Sequence, residues 1–265
     1  MGKYFVLILM IIMAGCASSN HANQPRFREI SKEDVKELEY AAIVEEKLYA
    51  QFNVVAADHS AVTGLNEIAE ALQSRSRRPY WPLEVFVITD PRYINACTGG
   101  RNVYIGQGLL SLVKTDDERA YIIAHELAHI DESHPMKTFE SAQKVGIFRK
   151  IGGYATSIAF AFVPAGALNP AVSFAAQNSI AMINQAATDI INKGYKRSFE
   201  IEADKKAVEF MKASGYVPQA ALSVLTKLEQ ASKVSPGGLF SDHPAYDHRI
   251  EDIKKILLQT EQVKS

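Results

Sequence analysis

His125 and His129 stand four residues apart with Glu126 beside the first, in a stretch that reads TDDERAYIIAHELAHIDESH from Thr115 to His134. On a helix that spacing puts both imidazoles on one face, one turn apart, where they can grip a single cation. Two neutral imidazoles bind zinc firmly while leaving room for one carboxylate and one water. Zinc lowers the pKa of that water to about 7, and Glu126 is placed to take its proton during attack on a carbonyl. This is the logic of the H-E-x-x-H pattern; the competing interpretation is a solvated helix face with two surface histidines. The flanks favour the metal. Thr115 with Glu118 three residues on forms a capping box, and Asp116 and Asp117 add negative charge at the positive end of a helix. Tyr121, Ile122, Ile123, Leu127 and Ile130 then bury it.

A third ligand is expected downstream, in Ser198-Phe199-Glu200-Ile201-Glu202-Ala203-Asp204. Glu200 and Asp204 lie one turn apart, which suits a metal-binding carboxylate and a second acid that holds a ligand histidine from behind. By itself E-x-x-x-D is ordinary surface charge; following an H-E-x-x-H helix it becomes the expected third ligand. Ala203 and Ala207 permit close helix packing. Val208 and Met211 continue the helix, and Gly215 with Pro218 beyond ends it. A longer three-histidine metal motif would need Gly in place of Glu132 and His in place of Pro135, so His134 is expected to be structural or to support a ligand.

The elements that must position these residues can be read in part. Ser31 caps a helix from about Lys32 that carries Val35, Leu38, Ala41, Ala42, Val44, Leu48 and Tyr49 at helical spacing. A second helical pattern covers about Ala61 to Leu72, and Arg75, Arg77 and Arg78 read as a solvated rim before Pro79 and Pro82. Strands are predicted at Leu83–Thr89, Tyr93–Cys97 and Asn102–Ile105, punctuated by Asp90-Pro91 and Gly99-Gly100. Gly106 to Val113 leads into the capped helix. The edge of this small sheet could accept an extended peptide as an added strand, or it could serve packing alone. Cys97 has no recognisable base beside it and reads as a buried, inert thiol.

The chain has 265 residues and a formal net charge of -1, which gives ample core and no support for nucleic-acid binding. Two cysteines are too few for a disulfide scaffold. Lys3, the apolar run Tyr4–Met13 and Ala14-Gly15-Cys16 have the three zones of a secretory signal, and the apolar run is short for a membrane span. Met-Ala-Gly-Cys resembles the lipobox of bacterial lipoproteins, with Met13 where Leu is usual. That resemblance implies removal of residues 1–15, acylation of Cys16 and, with Ala17 following, an outer-membrane anchor facing the periplasm; an ordinary signal peptide or an uncleaved anchor is the other reading. Residues 16–30 read as a flexible tether. No charged residue occurs between Ile151 and Thr188. Asn169, Gln177, Asn178, Asn184 and Gln185 are costly in lipid, so this region reads as an amphiphilic lid rather than as two spans.

Taken together, Asn95-Ala96, the Gly-Gly turn, Gly108-Leu109-Leu110, His125-Glu126-Leu127-Ala128-His129, Glu200-Ile201-Glu202-Ala203-Asp204 and His243-Pro244 resemble the HtpX-like and CAAX-prenyl-protease-like zinc metallopeptidases. The chain looks most like small periplasmic lipoprotein members of that group, over about residues 35 to 260. The resemblance implies His125, His129 and Glu200 as ligands of one Zn2+, Glu126 as base and Asp204 behind a ligand. It places Glu200 rather than Glu202 on the metal, because Glu200 has the four-residue offset to Asp204. It also places His243 near the metal, aiding the oxyanion or filling the open coordination position. Cys97 and a shorter glycine turn depart from the pattern of relatives. Tyr246, Ile250, Ile253, Ile256 and Leu257 form a last helix, on which Arg249 pairs with an active-site carboxylate and His248 lies at the surface.

The expected fold is therefore α+β, a mainly helical zincin-like domain over residues 31–265 with a small sheet before the active-site helix. The expected function is a zinc endopeptidase of gluzincin type, lipid-anchored in the outer membrane, acting on unfolded or misassembled envelope proteins. The alternative is a chaperone-like or assembly lipoprotein with a latent or structural metal site.

Overall fold

The computed structural model describes residues 31–55, 60–145, 184–191, 194–234 and 246–262. Helix α1 (Lys32–Gln51) starts from the expected cap, a box in which Ser31 and Asp34 bond each other's backbone N–H. Strand β1 (Val54–Val55), helix α2 (Ser60–Gln73) and strands β2 (Val85–Ile88), β3 (Ala96–Thr98) and β4 (Val103–Gly106) follow. Helix α3 (Gln107–Leu112) leads to α4 (Asp116–Asp131), which carries the histidine motif, and α5 (His134–Val145) begins almost at once. After a helical stretch at 184–191 come α6 (Arg197–Ala213), α7 (Ala220–Val234) and α8 (Tyr246–Gln262). Among the described residues no helix is long and apolar enough to cross a membrane. The lid expected at 151–188 falls almost wholly outside these residues, as do Cys16, the tether up to residue 30, and His243.

The sheet has the order β1-β2-β4-β3, with β2 and β4 parallel and the outer pairings antiparallel. Every residue of β2 and β4 is buried, as continuous apolar runs covered on both faces should be. The alternation of side chains divides them between two cores. Val85, Val87, Val103 and Ile105 join α2, α4, α6, α7 and α8, whereas Phe86, Ile88 and Tyr104 join α1 and the stretch at 184–191. Gly106 closes the sheet against the preceding loop: a Cβ there would sit 1.8 Å from the Tyr93 carbonyl oxygen. The Gly99-Gly100 turn is also as expected, with Gly100 at φ 110°, where L side chains are strained.

Two sequence expectations change, and one stretch left unassigned gains an element. Tyr93–Cys97 is not a five-residue strand; pairing is confined to Ala96–Thr98, because Asp90 to Arg92 form a turn in which Asp90 holds the Arg92 backbone and side chain. Gly106–Val113 contains the short helix α3. Arg78 is not part of a solvated rim, whereas Arg75 and Arg77 are exposed as expected. Arg78 lies mostly buried over Trp81 and pairs with Asp34 at 3.1 Å and with Glu37, two buried acids of α1 that require a cation. Arg77 binds Asp131 through backbone N–H and Nε, and its charge sits at the negative end of α4.

Candidate metal centre

Helix α4 starts where its sequence dictates. Thr115 accepts from the Glu118 backbone N–H and Glu118 bonds back, while the Glu118 carboxylate also receives Ser223 and Lys227 from α7. From Ala120 to Asp131 every residue is buried, so the histidines do not lie on a solvated face. Ala124 and Ala128 on α4 and Ala203 and Ala207 on α6 are fully buried in one core, where small side chains let the two helices approach closely.

That approach brings the three expected donors together. His125 Nε2 lies 3.1 Å from His129 Nε2 and 3.4 Å from a Glu200 carboxylate oxygen, whose other oxygen is 3.7 Å from His129 Nε2. A four-coordinate zinc with bonds of about 2.0–2.1 Å needs ligand–ligand separations of about 3.3–3.4 Å, close to the His125–His129 and His125–Glu200 distances, and one donor atom from each of the three residues lies within 4.8 Å of the others. Among the described residues this is the group of three whose donor atoms converge for a metal ion. Burial alone would lower the pKa of His125, but the hydrogen bonds it donates to Asp204 and Glu200 lift it to about 9. Burial and the neighbouring charge on His125 push His129 well down.

Asp204 is placed as the sequence suggested. It meets His125 Nδ1 at 2.9 Å, receives Arg249 Nε and Nη2 at 2.8 and 2.7 Å, and accepts the Tyr121 hydroxyl at 2.8 Å. A carboxylate on Nδ1–H leaves the Nε2 lone pair for the metal. Arg249 also reaches Glu200, with Nη1 at 3.2 Å, and His248 is exposed, both as expected. Glu126 is buried. Burial, and after it the charge of Glu126, pushes the Cys97 thiol up to about 12, so Cys97 is the inert thiol expected.

Other residues of the site were not read from the sequence. Tyr121 was taken as apolar filling, yet Tyr121, His125 and His129 recur every four residues, and that period was the available signal. Tyr195 stacks on His129 with ring centroids 4.1 Å apart and donates its hydroxyl to the Thr98 carbonyl at 2.7 Å. Nothing local in the sequence marks it. Glu202 is turned away from the metal trio and meets His134 instead.

Residues 61–257, well over half the chain, match the model of peptidase family M48. The chain belongs to that family. It is 23% identical to a beta-barrel assembly-enhancing protease of Yersinia pestis over 194 residues, 72% of this chain and 37% of that protein. It is 24% identical to metalloprotease LoiP of Escherichia coli K12 over 190 residues, 72% of this chain and 68% of the other. To a protease HtpX homolog of a Sulfurovum species it is 25% identical over 241 residues, covering 80% and 82%. The chain thus spans little more than a third of the assembly-enhancing relative. M48 membership bears out the resemblance drawn from the motifs, and the mixed sheet beneath the helices is the mainly helical α+β fold expected. Zinc is the cofactor that this family and the His-His-Glu donor set both indicate.

Proposed function

We propose that this M48 chain is a zinc endopeptidase in which His125, His129 and Glu200 hold the ion and Glu126 is the general base. The observation that carries the reading is the convergence of three buried donors beside a buried glutamate that follows the first of them in the H-E-x-x-H pattern. A zinc ion there supplies Lewis acidity, polarising a peptide carbonyl and acidifying a water. Glu126 takes the proton of the attacking water and returns it to the leaving nitrogen. Asp204, itself held by Arg249 and Tyr121, keeps His125 in the tautomer that faces the metal.

The sheet offers a place for the substrate backbone. Asn95 gives its carbonyl to the Gly106 N–H of β4, so by antiparallel alternation the backbone groups of Ala96 and Thr98 face away from β4. Tyr195 bonds the Thr98 carbonyl and stacks on His129, which sets β3 beside the metal trio; with Thr98 buried and its carbonyl taken, Ala96 is the part of that edge an extended peptide would reach. We place the chain, through acylated Cys16, on the periplasmic face of the outer membrane, with unfolded or misassembled envelope proteins as substrates; the lipobox-like Met13–Cys16 supports this. His243 is assigned to the open side of the metal on the motif resemblance alone.

The test is Glu126→Gln. The variant should retain one zinc per chain and the fold, and should lose cleavage of a denatured casein-type substrate by at least about a hundredfold. Undiminished cleavage overturns the role of Glu126. The name of the Yersinia relative joins assembly to proteolysis, which favours a second reading, an assembly factor with a latent centre. That reading is supported if Glu126→Gln still complements an envelope-assembly defect.

A further inference from the structure

Two histidine ligands need two tautomers fixed, and Asp204 fixes one. Among the described residues His129 has no carboxylate on its Nδ1; that atom lies 2.9 Å from Nδ1 of another histidine, His134. His134 is wholly buried, and its Nε2 lies 3.2 Å from a carboxylate oxygen of Glu202, whose side chain is 46% exposed. A carboxylate accepts and cannot donate. It therefore selects the His134 tautomer with the proton on Nε2, and this bares Nδ1. A bare Nδ1 on His134 in turn accepts a proton from Nδ1 of His129, and the lone pair of His129 is left on Nε2, the atom that faces His125 and Glu200.

We propose that Glu202 and His134 form a positioning relay that pre-sets His129 as a metal ligand, its Nε2 lone pair aimed at the metal position before any ion arrives. This rests on the reading of His125, His129 and Glu200 as the zinc site.

The fold holds the relay in place at each link. Ser133 has a φ of 53°, a left-handed conformation uncommon for a residue other than glycine, and it turns the chain sharply between α4 and α5. The Ser133 carbonyl then accepts the Lys137 N–H at 2.9 Å, so His134 opens α5 directly behind His129. Phe199 stacks on His134 with centroids 4.0 Å apart and planes within 12°, and Tyr195 stacks on His129 at 21°. Each ring is clamped on a face, so its in-plane nitrogens keep their direction. Glu202 leaves α6 between Glu200 and Asp204, and the three acids Glu200, Glu202 and Asp204 thus serve the metal position, His134 and His125 respectively. The buried centre is in this way connected to solvent through one half-exposed carboxylate.

The experiment compares wild type, Glu202→Leu, Glu202→Gln and His134→Phe in two measurements. Long-range proton–nitrogen NMR of the histidine rings in chelator-treated protein reads the tautomers, and competition with a zinc chelator reads zinc affinity. Wild type should show His129 protonated on Nδ1 and His134 on Nε2. Glu202→Leu should give mixed tautomers at both rings and weaken zinc about threefold to tenfold, and His134→Phe about ten- to a hundredfold, the range for partners behind a metal ligand. Glu202→Gln, which keeps an acceptor oxygen, should restore most of both signals. Unchanged tautomers in Glu202→Leu overturn the relay, even where affinity falls, since affinity alone would then report only local packing. If wild-type zinc binding survives His125→Ala undiminished, the zinc-site reading fails and the relay with it; if that control holds, failure of the Glu202 variants counts against the relay alone.

Discussion

Asp204→Asn separates the structural from the metal-binding contribution of one side chain. Asp204 is buried, and its carboxylate meets four donors: two from Arg249, the Tyr121 hydroxyl and His125 Nδ1. An asparagine of the same shape presents one oxygen and one NH2, so one arm of the Arg249 fork meets a donor and the buried guanidinium loses half of its counter-charge. Breaking a buried pair by removing one partner costs about 3–5 kcal/mol. Glu200, 3.2 Å from Arg249 Nη1, still balances part of that charge, so we expect the lower end, about 3 kcal/mol, in metal-free protein. For a domain of this size that lowers Tm by roughly 6–12 °C. Zinc affinity should fall a further ten- to a hundredfold, about 1.4–2.7 kcal/mol, because His125 loses the acceptor that fixes its tautomer. Thermal unfolding with excess chelator reads the first quantity and chelator competition the second. Arg249→Met added to Asp204→Asn removes the stranded charge, so the double variant should be more stable than the sum of the single losses by about 1–3 kcal/mol. Additivity within 0.5 kcal/mol, or a single-variant loss below about 1 kcal/mol, would refute the argument that Arg249 and Asp204 act as one unit.

Glu118 is held down to about 2: burial opposes the charge, but hydrogen bonds from Lys227, Ser223 and the Lys114 backbone outweigh it. Its folded pKa lies below the ordinary 4.5, so its contribution is present above about pH 4.5 and is lost as pH falls through the folded value. Allowing for solvent screening, urea denaturation should find Glu118→Gln less stable than wild type by about 1–2 kcal/mol at pH 6, and the gap should close towards pH 2. Cys97, buried and with its thiol raised to about 12, should resist iodoacetamide in native protein at pH 8 and react on unfolding in guanidinium; mass spectrometry reads the adduct. Gly106→Ala drives a Cβ into the Tyr93 carbonyl and should destabilise by more than about 2 kcal/mol, whereas Gly64→Ala, in α2 with nothing within 4 Å of the new Cβ, should stabilise by about 0.5–1 kcal/mol in the same denaturation assay.

Local rules made the helix starts legible. Thr115 with Glu118 is a capping box at both levels, Ser31 is the cap the sequence suggested and closes a box with Asp34, and Gly215 ends α6 in a left-handed conformation with φ 84°. What failed to show was pairing across sequence distance. A two-residue β1 is too short to carry a period, and the parallel β2–β4 register is fixed by two cores that meet only in the folded chain. Arg78 looked solvated because Asp34 and Glu37 lie more than forty positions away in the sequence and become its neighbours only on folding. The two histidines of the proposed metal site were legible because four-residue spacing is itself geometry: it fixes His125 against His129 before any tertiary contact forms.

The same helical arithmetic explains why α6 was half legible. At about 100° per residue, Glu200 and Asp204 share a face and Glu202 stands some 200° around from Glu200. A carboxylate on that far side reads as surface, and by exposure it is half surface. It acquires a partner because the chain leaves α4 through Ser133 and returns His134 to the flank of α6, a path set by one left-handed residue. Had the α4–α5 connection run straight on, Glu202 would be a solvated charge and His129 would have no acceptor behind it. The two imidazoles of one motif are therefore supported by different means, His125 by Asp204 on α6 and His129 by way of a turn. It follows that changes at Ser133 should disturb His129 and leave His125 in place. Ser133→Gly, which relieves the left-handed strain, should keep the tautomers of both rings, whereas Ser133→Val, β-branched and strained at φ 53°, should mix those of His129 and His134 while His125 stays on Asp204. Equal disturbance of both ligands by Ser133→Val would show that the turn does not act through His134.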